Sequence, residues 1–189
     1  MRVIAGTYRS RLLKSLKGQA LRPTSDRLRE TLFNVLGASV TGARFLDLYA
    51  GTGAVGIEAL SRGAVEAVFV ENHGASAKLI QENLSSLKIV SGVQVIGADV
   101  RGALAKLAAL RRPAFDFVFL DPPYADEHEY QKTMNILRTS ALLVPDSIVI
   151  AEHRKSFEMD DTFGNLQRYR TLKQGDAALS FFSLKMEEK

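Results

Sequence analysis

The residues most suggestive of chemistry follow an apolar run. The run FDFVFL, residues 115–120, leads directly into Asp121, Pro122, Pro123 and Tyr124. Two successive prolines restrict the backbone and remove two N–H donors, which leaves nearby carbonyls free to accept hydrogen bonds. A carboxylate and such a carbonyl suit the two N–H groups of an exocyclic amine, and a tyrosine ring can stack on a base. We interpret these four residues as a candidate catalytic site acting on a nucleobase amine; the alternative is a strand-ending turn, where Asp and Pro are common.

A second candidate site is a glycine loop upstream. Gly51, Gly53 and Gly56 form a G-x-G-x-x-G pattern between a predicted strand and a predicted helix. Glycine permits a tight turn and a close approach of a ligand to the backbone, and the helix start offers unpaired N–H groups. Glu71 follows the first glycine by about 20 residues, at a strand end where an acid can bind ribose hydroxyls. The pattern fits NAD, FAD or S-adenosylmethionine, and a glycine-rich turn without a ligand is the alternative.

An acid before this loop indicates the cofactor. Asp47 precedes the stretch Ala-Gly-Thr-Gly, and this arrangement resembles the first motif of class I methyltransferases. Their donor, S-adenosylmethionine, carries positive charge on its sulfonium and amino groups, which a nearby carboxylate suits better than it suits a pyrophosphate. Asp99 stands where such enzymes contact the adenine amine; a helix N-cap is the alternative, and both roles are compatible. The predicted cofactor-binding residues are Asp47, Tyr49, Gly51, Thr52, Gly53, Gly56, Glu71, Asn72, Asp99, Val100 and Asp121.

The elements that must position these residues alternate from residue 44 onward. The runs RFLDLY, EAVFVE, VQVIGAD, FDFVFLD and SIVIAEH read as strands, with segments of helical period between the first four and a further predicted helix over 127–139. This alternation predicts an α/β fold with a parallel, doubly wound sheet. The stretch LQRYRTLKQGDAALSFFSL predicts an antiparallel hairpin that closes the sheet. Because ligands bind at the carboxyl ends of parallel strands, we expect Asp121 to lie near the glycine loop.

The N-terminal region has a different character. Its first segment, RVIAGTYRSRLLKSL, is compatible with a β-hairpin, and a helix capped by Thr24 or Ser25 is predicted to end at Gly37. Residues 1–30 contain eight Lys and Arg residues against two acids, a net charge of +6, whereas the whole chain carries +4. This asymmetry favours a polyanionic partner, although a solvated basic arm is the alternative.

Composition excludes several classes of protein. The 189 residues include no cysteine, so disulfides and thiolate metal sites are excluded, and a reducing compartment is compatible with this. His73, His128 and His153 have no metal-ligand spacing, and we predict no metal site. No apolar run approaches the length of a membrane span, and no signal-peptide pattern is present. We therefore expect a cytoplasmic protein, and we expect a monomer.

Taken together, these motifs resemble a known family. The tetrapeptide Asp-Pro-Pro-Tyr is similar to a motif of amino-group methyltransferases, and the chain resembles the RsmD family, bacterial methyltransferases of 16S ribosomal RNA that modify guanine N2. The stretch LRPTSDRLRETLFNVL selects this family most specifically. The resemblance implies a mostly parallel, seven-stranded, Rossmann-like sheet of class I methyltransferases, with S-adenosylmethionine as donor and the small ribosomal subunit or its precursor as substrate. The alternatives are an N6-adenine methyltransferase acting on DNA or RNA and a non-catalytic RNA-binding module with a methyltransferase fold.

The resemblance also gives the basic residues a role. We predict that residues 1–37 form an RNA-facing module and residues 38–189 the methyltransferase domain. Contacts to RNA phosphates are predicted for Arg9, Arg11, Lys14, Arg22, Arg27 and Arg29. For Arg27 and Arg29, ion pairs with Glu30 or neighbouring acids are the alternative.

Overall fold

Helices and strands alternate along the chain as the apolar patterns predict. The computed structural model describes residues 1–15, 25–123 and 128–185. A short 3₁₀ helix, Gly37–Val40, follows the first α-helix. The helices are α1 (Asp26–Leu36), α2 (Ala54–Ser61), α3 (Gly74–Ser86), α4 (Val100–Ala109) and α5 (His128–Leu137). The strands are β1 (Arg44–Leu48), β2 (Glu66–Val70), β3 (Val93–Ile96), β4 (Phe117–Leu120), β5 (Ile148–Arg154), β6 (Thr162–Phe163), β7 (Leu166–Gln174) and β8 (Ala177–Leu184).

All described strands belong to one sheet, in the order β3-β2-β1-β4-β5-β8-β7-β6. Strands β3, β2, β1, β4 and β5 pair in parallel. Strand β8 pairs antiparallel with β5 on one side and with β7 on the other. The predicted closing hairpin is confirmed. The sheet has eight strands, one more than the expected seven, because the two-residue β6 pairs with the start of β7.

Helices cover the sheet on both faces, which explains why its central strands are apolar throughout. Side chains of a strand alternate between faces, so Phe45 enters one core and the next residue, Leu46, enters the other. Apolar side chains of α1, α2 and α3 fill the first core, and those of α4 and α5 fill the second. Both cores therefore hold β1 and β4 rigidly in the middle of the sheet.

The order of the strands reverses between β1 and β4. From β1 the chain continues outward to β2 and β3, and from β4 it continues to β5 on the opposite side. The two central strands pair with Leu48 opposite Leu120, so their carboxyl ends lie at the same level. Such a reversal leaves a crevice beyond the strand ends, where ligands of open α/β sheets bind.

The first residues form a turn that docks on α2 and α3. A single antiparallel bridge joins Arg2 and Leu12, so the predicted hairpin is present as a bridged loop. The carboxylate of Glu58, buried on α2, accepts hydrogen bonds from the backbone N–H groups of Ile4 (2.8 Å) and Ala5 (3.0 Å). In α2, Ser61 accepts from Thr7 and Tyr8 through its carbonyl and its hydroxyl, respectively. We call residues 1–15 the N-terminal segment.

Helix α1 begins and ends as its sequence predicts. The Ser25 hydroxyl accepts a hydrogen bond from the Leu28 N–H, and Gly37 with φ of 55° follows the last helical residue. Leu28, Leu32 and Phe33 bury one face of the helix in the first core. Among the described residues, no helix has the length and apolar character needed to cross a membrane.

Candidate active site

The glycine loop connects β1 to α2 at the crevice. Gly51 (φ 56°) and Gly53 (φ 76°) adopt the left-handed conformation, which explains why glycine occupies both positions. Gly56 lies inside α2 for a different reason, because a Cβ atom there would meet the Phe69 ring at 2.4 Å. The three glycines thus allow a tight turn and a close contact between α2 and β2.

Two carboxylates hold this loop in place. Asp47, which is buried in β1, accepts a hydrogen bond from the Gly56 N–H at 2.9 Å. Glu71 follows β2 and accepts from the N–H groups of Gly51 and His73, both at 2.8 Å. The predicted acids therefore shape the loop directly, in addition to any contact with a ligand.

Burial disfavours the ionised forms of the acids at the crevice. Desolvation raises the pKa of Asp47 to about 8, and the charge of Glu71 adds to this while the Gly56 N–H opposes it. Desolvation also raises the pKa of Asp121 well above its ordinary value, with further contributions from Glu152 and Asp47. A positive ligand would relieve this accumulation of charge. The residues therefore fit S-adenosylmethionine, with its cationic sulfonium and amino groups, better than an anionic dinucleotide.

The Asp-Pro-Pro stretch lies directly after β4, as expected. Asp121 is partly exposed, Pro122 is buried and Pro123 is exposed, so the stretch passes from the core to the surface. Tyr124 lies outside the described residues. Strand β4 pairs with β1 so that Leu120 lies opposite Leu48, and Asp121 therefore follows β4 at the carboxyl end of the strand that carries Asp47.

One acid at this site was not among the predicted residues. Glu152 is buried in β5, and the register that pairs Leu120 with Ala151 brings it beside Asp121. Its backbone carbonyl accepts a hydrogen bond from the Tyr130 hydroxyl at 2.7 Å. Its place near the end of the fifth predicted strand, at the same sheet end, gave only a weak indication of a substrate contact, and the register of β4 and β5 adds its position beside Asp121.

The remaining predicted cofactor residues lie in or near the loop and differ in their exposure to solvent. Asp99 is exposed and caps α4 by accepting from the Gly102 N–H at 2.9 Å, so the N-cap role is present. Tyr49, with φ of 60°, directs its hydroxyl to Thr133 (2.7 Å) on α5. Asn72 is exposed after β2, Thr52 is partly buried between the first two glycines, and Val100 is buried at the start of α4. Donor contacts by these residues stay predictions.

The predicted RNA-binding cations separate into two groups. Arg9, Arg11, Lys14 and Arg27 are exposed, and Lys14 pairs with Glu82 at 2.9 Å on the surface. Arg22 lies outside the described residues.

Arg29 requires a correction, because its side chain is fully buried. It donates to the Arg2 carbonyl at 2.5 Å and forms ion pairs with Asp26 at 3.0 Å and Glu58 at 3.8 Å. A phosphate contact does not fit this position. Arg29 instead fixes α1 and the N-terminal segment to α2.

Comparisons with known proteins agree with this geometry. A protein-family model described as conserved hypothetical protein 95 matches residues 1–183. The Bacillus subtilis protein YlbH is 38% identical over 166 residues, which are 88% of this chain and 89% of that protein. Ribosomal RNA small subunit methyltransferase D of Escherichia coli is 31% identical over 182 residues, covering 96% of this chain and 89% of that protein.

A solved structure extends the agreement to the fold. The Escherichia coli protein yhhF superposes with a TM-score of 0.85 at 31% identity, covering 98% of both chains. With the strand order, this likeness confirms the predicted Rossmann-like, class I methyltransferase fold. The chain therefore belongs to the conserved hypothetical protein 95 family, which is the RsmD family that its sequence motifs resemble.

Proposed function

We propose that this chain is a methyltransferase that transfers a methyl group from S-adenosylmethionine to the exocyclic N2 amine of a guanine in 16S ribosomal RNA. The observation that carries the proposal is that two acids with raised pKa values, the buried Asp47 of β1 and the partly exposed Asp121 that follows β4, belong to the two strands at which the strand order reverses, beside the glycine loop. Its family membership and its similarity to small-subunit methyltransferase D support ribosomal RNA as the substrate.

The glycine loop and the acids around it hold the donor. The bound donor supplies an electrophilic methyl group on a positive sulfur, which is itself a good leaving group, so the proposed transfer needs no metal. Asp47 stabilises the positive charge from below the loop, Glu71 binds the ribose hydroxyls, and Asp99 receives the adenine amine. Thr52 and the backbone around Gly51 and Gly53 permit close approach.

The Asp-Pro-Pro-Tyr stretch prepares the acceptor. The lone pair of an exocyclic amine is delocalised into the base and is therefore a weak nucleophile. The Asp121 carboxylate and a carbonyl of Pro122 or Pro123 accept the two N–H bonds and direct the lone pair at the methyl group, which makes attack effectively intramolecular. Because burial raises its pKa, Asp121 is also suited to take the proton that the amine releases. Tyr124 holds the base by stacking, worth roughly 1–3 kcal/mol.

The RNA approaches over the exposed cations. Arg9, Arg11, Lys14 and Arg27, joined by Arg22, bind phosphates of a loop or bulge from which the base is unstacked. Residues 1–37 form the RNA-facing module and residues 38–189 the methyltransferase domain. The enzyme acts as a monomer in the cytoplasm, where ribosomal subunits assemble.

The test uses purified protein and small ribosomal subunits from an Escherichia coli strain that lacks small subunit methyltransferase D. With S-adenosylmethionine, nucleoside mass spectrometry should show one new N2-methylguanosine per subunit, and the Asp121→Ala protein should give none. N6-methyladenosine in its place would favour an adenine methyltransferase. Binding of subunits without any methyl transfer would favour a non-catalytic RNA-binding module.

A further inference from the structure

We propose that Asn83 is a positioning residue that couples the N-terminal segment to the glycine loop, so that RNA binding and donor binding strengthen each other. This inference rests on the proposed function, because it requires that the N-terminal segment contacts RNA and that the loop contacts the donor.

The amide of Asn83 connects both parts of the structure. Asn83 lies on α3 with a fully buried side chain. Its Oδ1 accepts from the Lys14 N–H at 2.8 Å, and its Nδ2 donates to the Lys14 carbonyl at 3.2 Å and to the Thr52 carbonyl at 3.1 Å. Both donor hydrogens and the acceptor of the amide are therefore used. One side chain thus fixes a residue of each proposed binding surface.

The Thr52 carbonyl is a sensitive point of the loop. It belongs to the peptide between Thr52 and Gly53, and both flanking glycines, Gly51 and Gly53, have positive φ. Glycine has the widest choice of backbone conformations, so hydrogen bonds must select the one that the donor needs. The Asn83 bond to Thr52 restricts this peptide plane, while the Met1 sulfur accepts a hydrogen bond from the Thr52 hydroxyl at 3.8 Å.

The contact to Lys14 lies at one end of the proposed RNA surface. Arg9 and Arg11 stand between two anchors of the N-terminal segment, the Glu58 bonds to Ile4 and Ala5 and the Asn83 bonds to Lys14. RNA held by the two arginines and Lys14 immobilises this stretch, and the immobilised Lys14 restricts the Asn83 amide. The glycine loop then loses less conformational entropy when the donor binds. RNA binding therefore strengthens donor binding without a change of fold.

We expect the coupling to be about five- to tenfold, at the lower end of typical allosteric coupling, and it must be reciprocal. The measured quantity is the affinity of unmethylated small subunits, obtained by filter binding with and without saturating S-adenosylhomocysteine. This product analogue avoids turnover. The wild-type protein should bind subunits five- to tenfold more tightly when S-adenosylhomocysteine is present.

Two variants separate coupling from simple contact. Asn83→Asp keeps the acceptor for the Lys14 N–H but removes the donor for both the Thr52 carbonyl and the Lys14 carbonyl, so the link between the two surfaces is broken and its ratio should fall to about one. Glu82→Gln is the matched control, because it breaks the Lys14 ion pair on the same helix without touching Thr52. It should keep the wild-type ratio, even if its subunit affinity changes.

The inference is wrong if S-adenosylhomocysteine leaves the subunit affinity of the wild-type protein unchanged, or if Asn83→Asp retains the wild-type ratio of the two affinities. Should the variant fold poorly, hydrogen exchange on the wild-type protein decides. Subunits alone should slow exchange at least twofold in the peptide covering residues 49–56, and unchanged exchange would overturn the coupling. Failure of the proposed function looks different, because subunits incubated with the wild-type protein and S-adenosylmethionine would then gain no N2-methylguanosine, whatever the two affinities are.

Discussion

The buried carboxylate of Asp47 should make the donor-free enzyme less stable as pH rises. An ordinary aspartate has a pKa of 3.8, whereas Asp47 has a pKa of about 8 in the folded chain. Between these values the folded state holds a proton that the unfolded state has lost, so the free energy of unfolding falls by about 1.4 kcal/mol per pH unit. From pH 5 to pH 7.5 the loss is about 3 kcal/mol. Asp47→Asn removes this titration and keeps an oxygen that accepts from the Gly56 N–H.

Urea denaturation of both proteins at several pH values between 5 and 7.5 measures this effect. The stability of Asp47→Asn relative to wild type should increase by about 3 kcal/mol across the range. The pKa of His153 is lowered, first of all by burial, and its titration acts in the opposite direction; because both proteins contain it, the difference cancels this contribution. Parallel pH profiles for the two proteins would refute the reasoning.

Donor binding provides the corresponding control. S-adenosylmethionine should reduce the loss of wild-type stability with rising pH more than S-adenosylhomocysteine does, because only the former carries the sulfonium charge that favours ionised Asp47. Asp47→Asn should bind the sulfonium compound more weakly while its affinity for the neutral thioether changes less. If the two compounds changed the pH dependence of wild-type stability equally, the charge of Asp47 would have no role in binding the sulfonium.

Three further predictions concern other parts of the site. Asp121→Ala should lower kcat by about 10²- to 10⁴-fold with the S-adenosylmethionine Kd within a few fold, as measured by single-turnover kinetics and calorimetry; wild-type turnover would contradict its role. Gly53→Val should lose donor binding in calorimetry with a folded far-UV spectrum, because φ is 76° and the added Cβ would lie 3.1 Å from the Ile80 side chain; normal affinity would exclude this loop as the donor site. Replacing Arg9 and Arg11 by Glu should reduce the slope of log RNA affinity against log salt concentration by about 1.4. Arg29→Met should keep this slope and cost roughly 3–5 kcal/mol of stability. A reduced slope with unchanged stability in Arg29→Met would show that Arg29 contacts RNA.

The fold was predictable because its signals are local. Apolar runs with strand or helical period mark the elements, and alternation of strands and helices is enough to predict a parallel sheet with both faces covered. The two-residue β6 carries no such signal, since its pairing depends on the position of β7. The sequence indicated a hairpin around Arg2 and Leu12, but not its docking, because side chains of α2 and α3 hold it in place.

The geometry of the candidate site was predictable where the backbone demands a residue type. Gly51 and Gly53 need positive φ, and an acid at the end of β4 needs only the rule on strand ends. Arg29 shows the limit of such reasoning. Its charge and its place near a helix start predict either a phosphate contact or an ion pair with a neighbouring acid, and the pair with Asp26 is present. Its second partner, Glu58, lies on α2, and only the packing of α1 against α2 brings the two together.

The way in which the N-terminal turn is attached has a consequence for which of its positions tolerate substitution. The N–H groups of Ile4, Ala5, Thr7 and Tyr8 all donate to α2, so docking depends on the main chain and tolerates many side chains. Gly6 is the exception, because any Cβ there would collide with the Ser61 carbonyl at 1.8 Å. Side chains at outward-facing positions of the turn can therefore be exchanged at little cost to the scaffold that holds the candidate site.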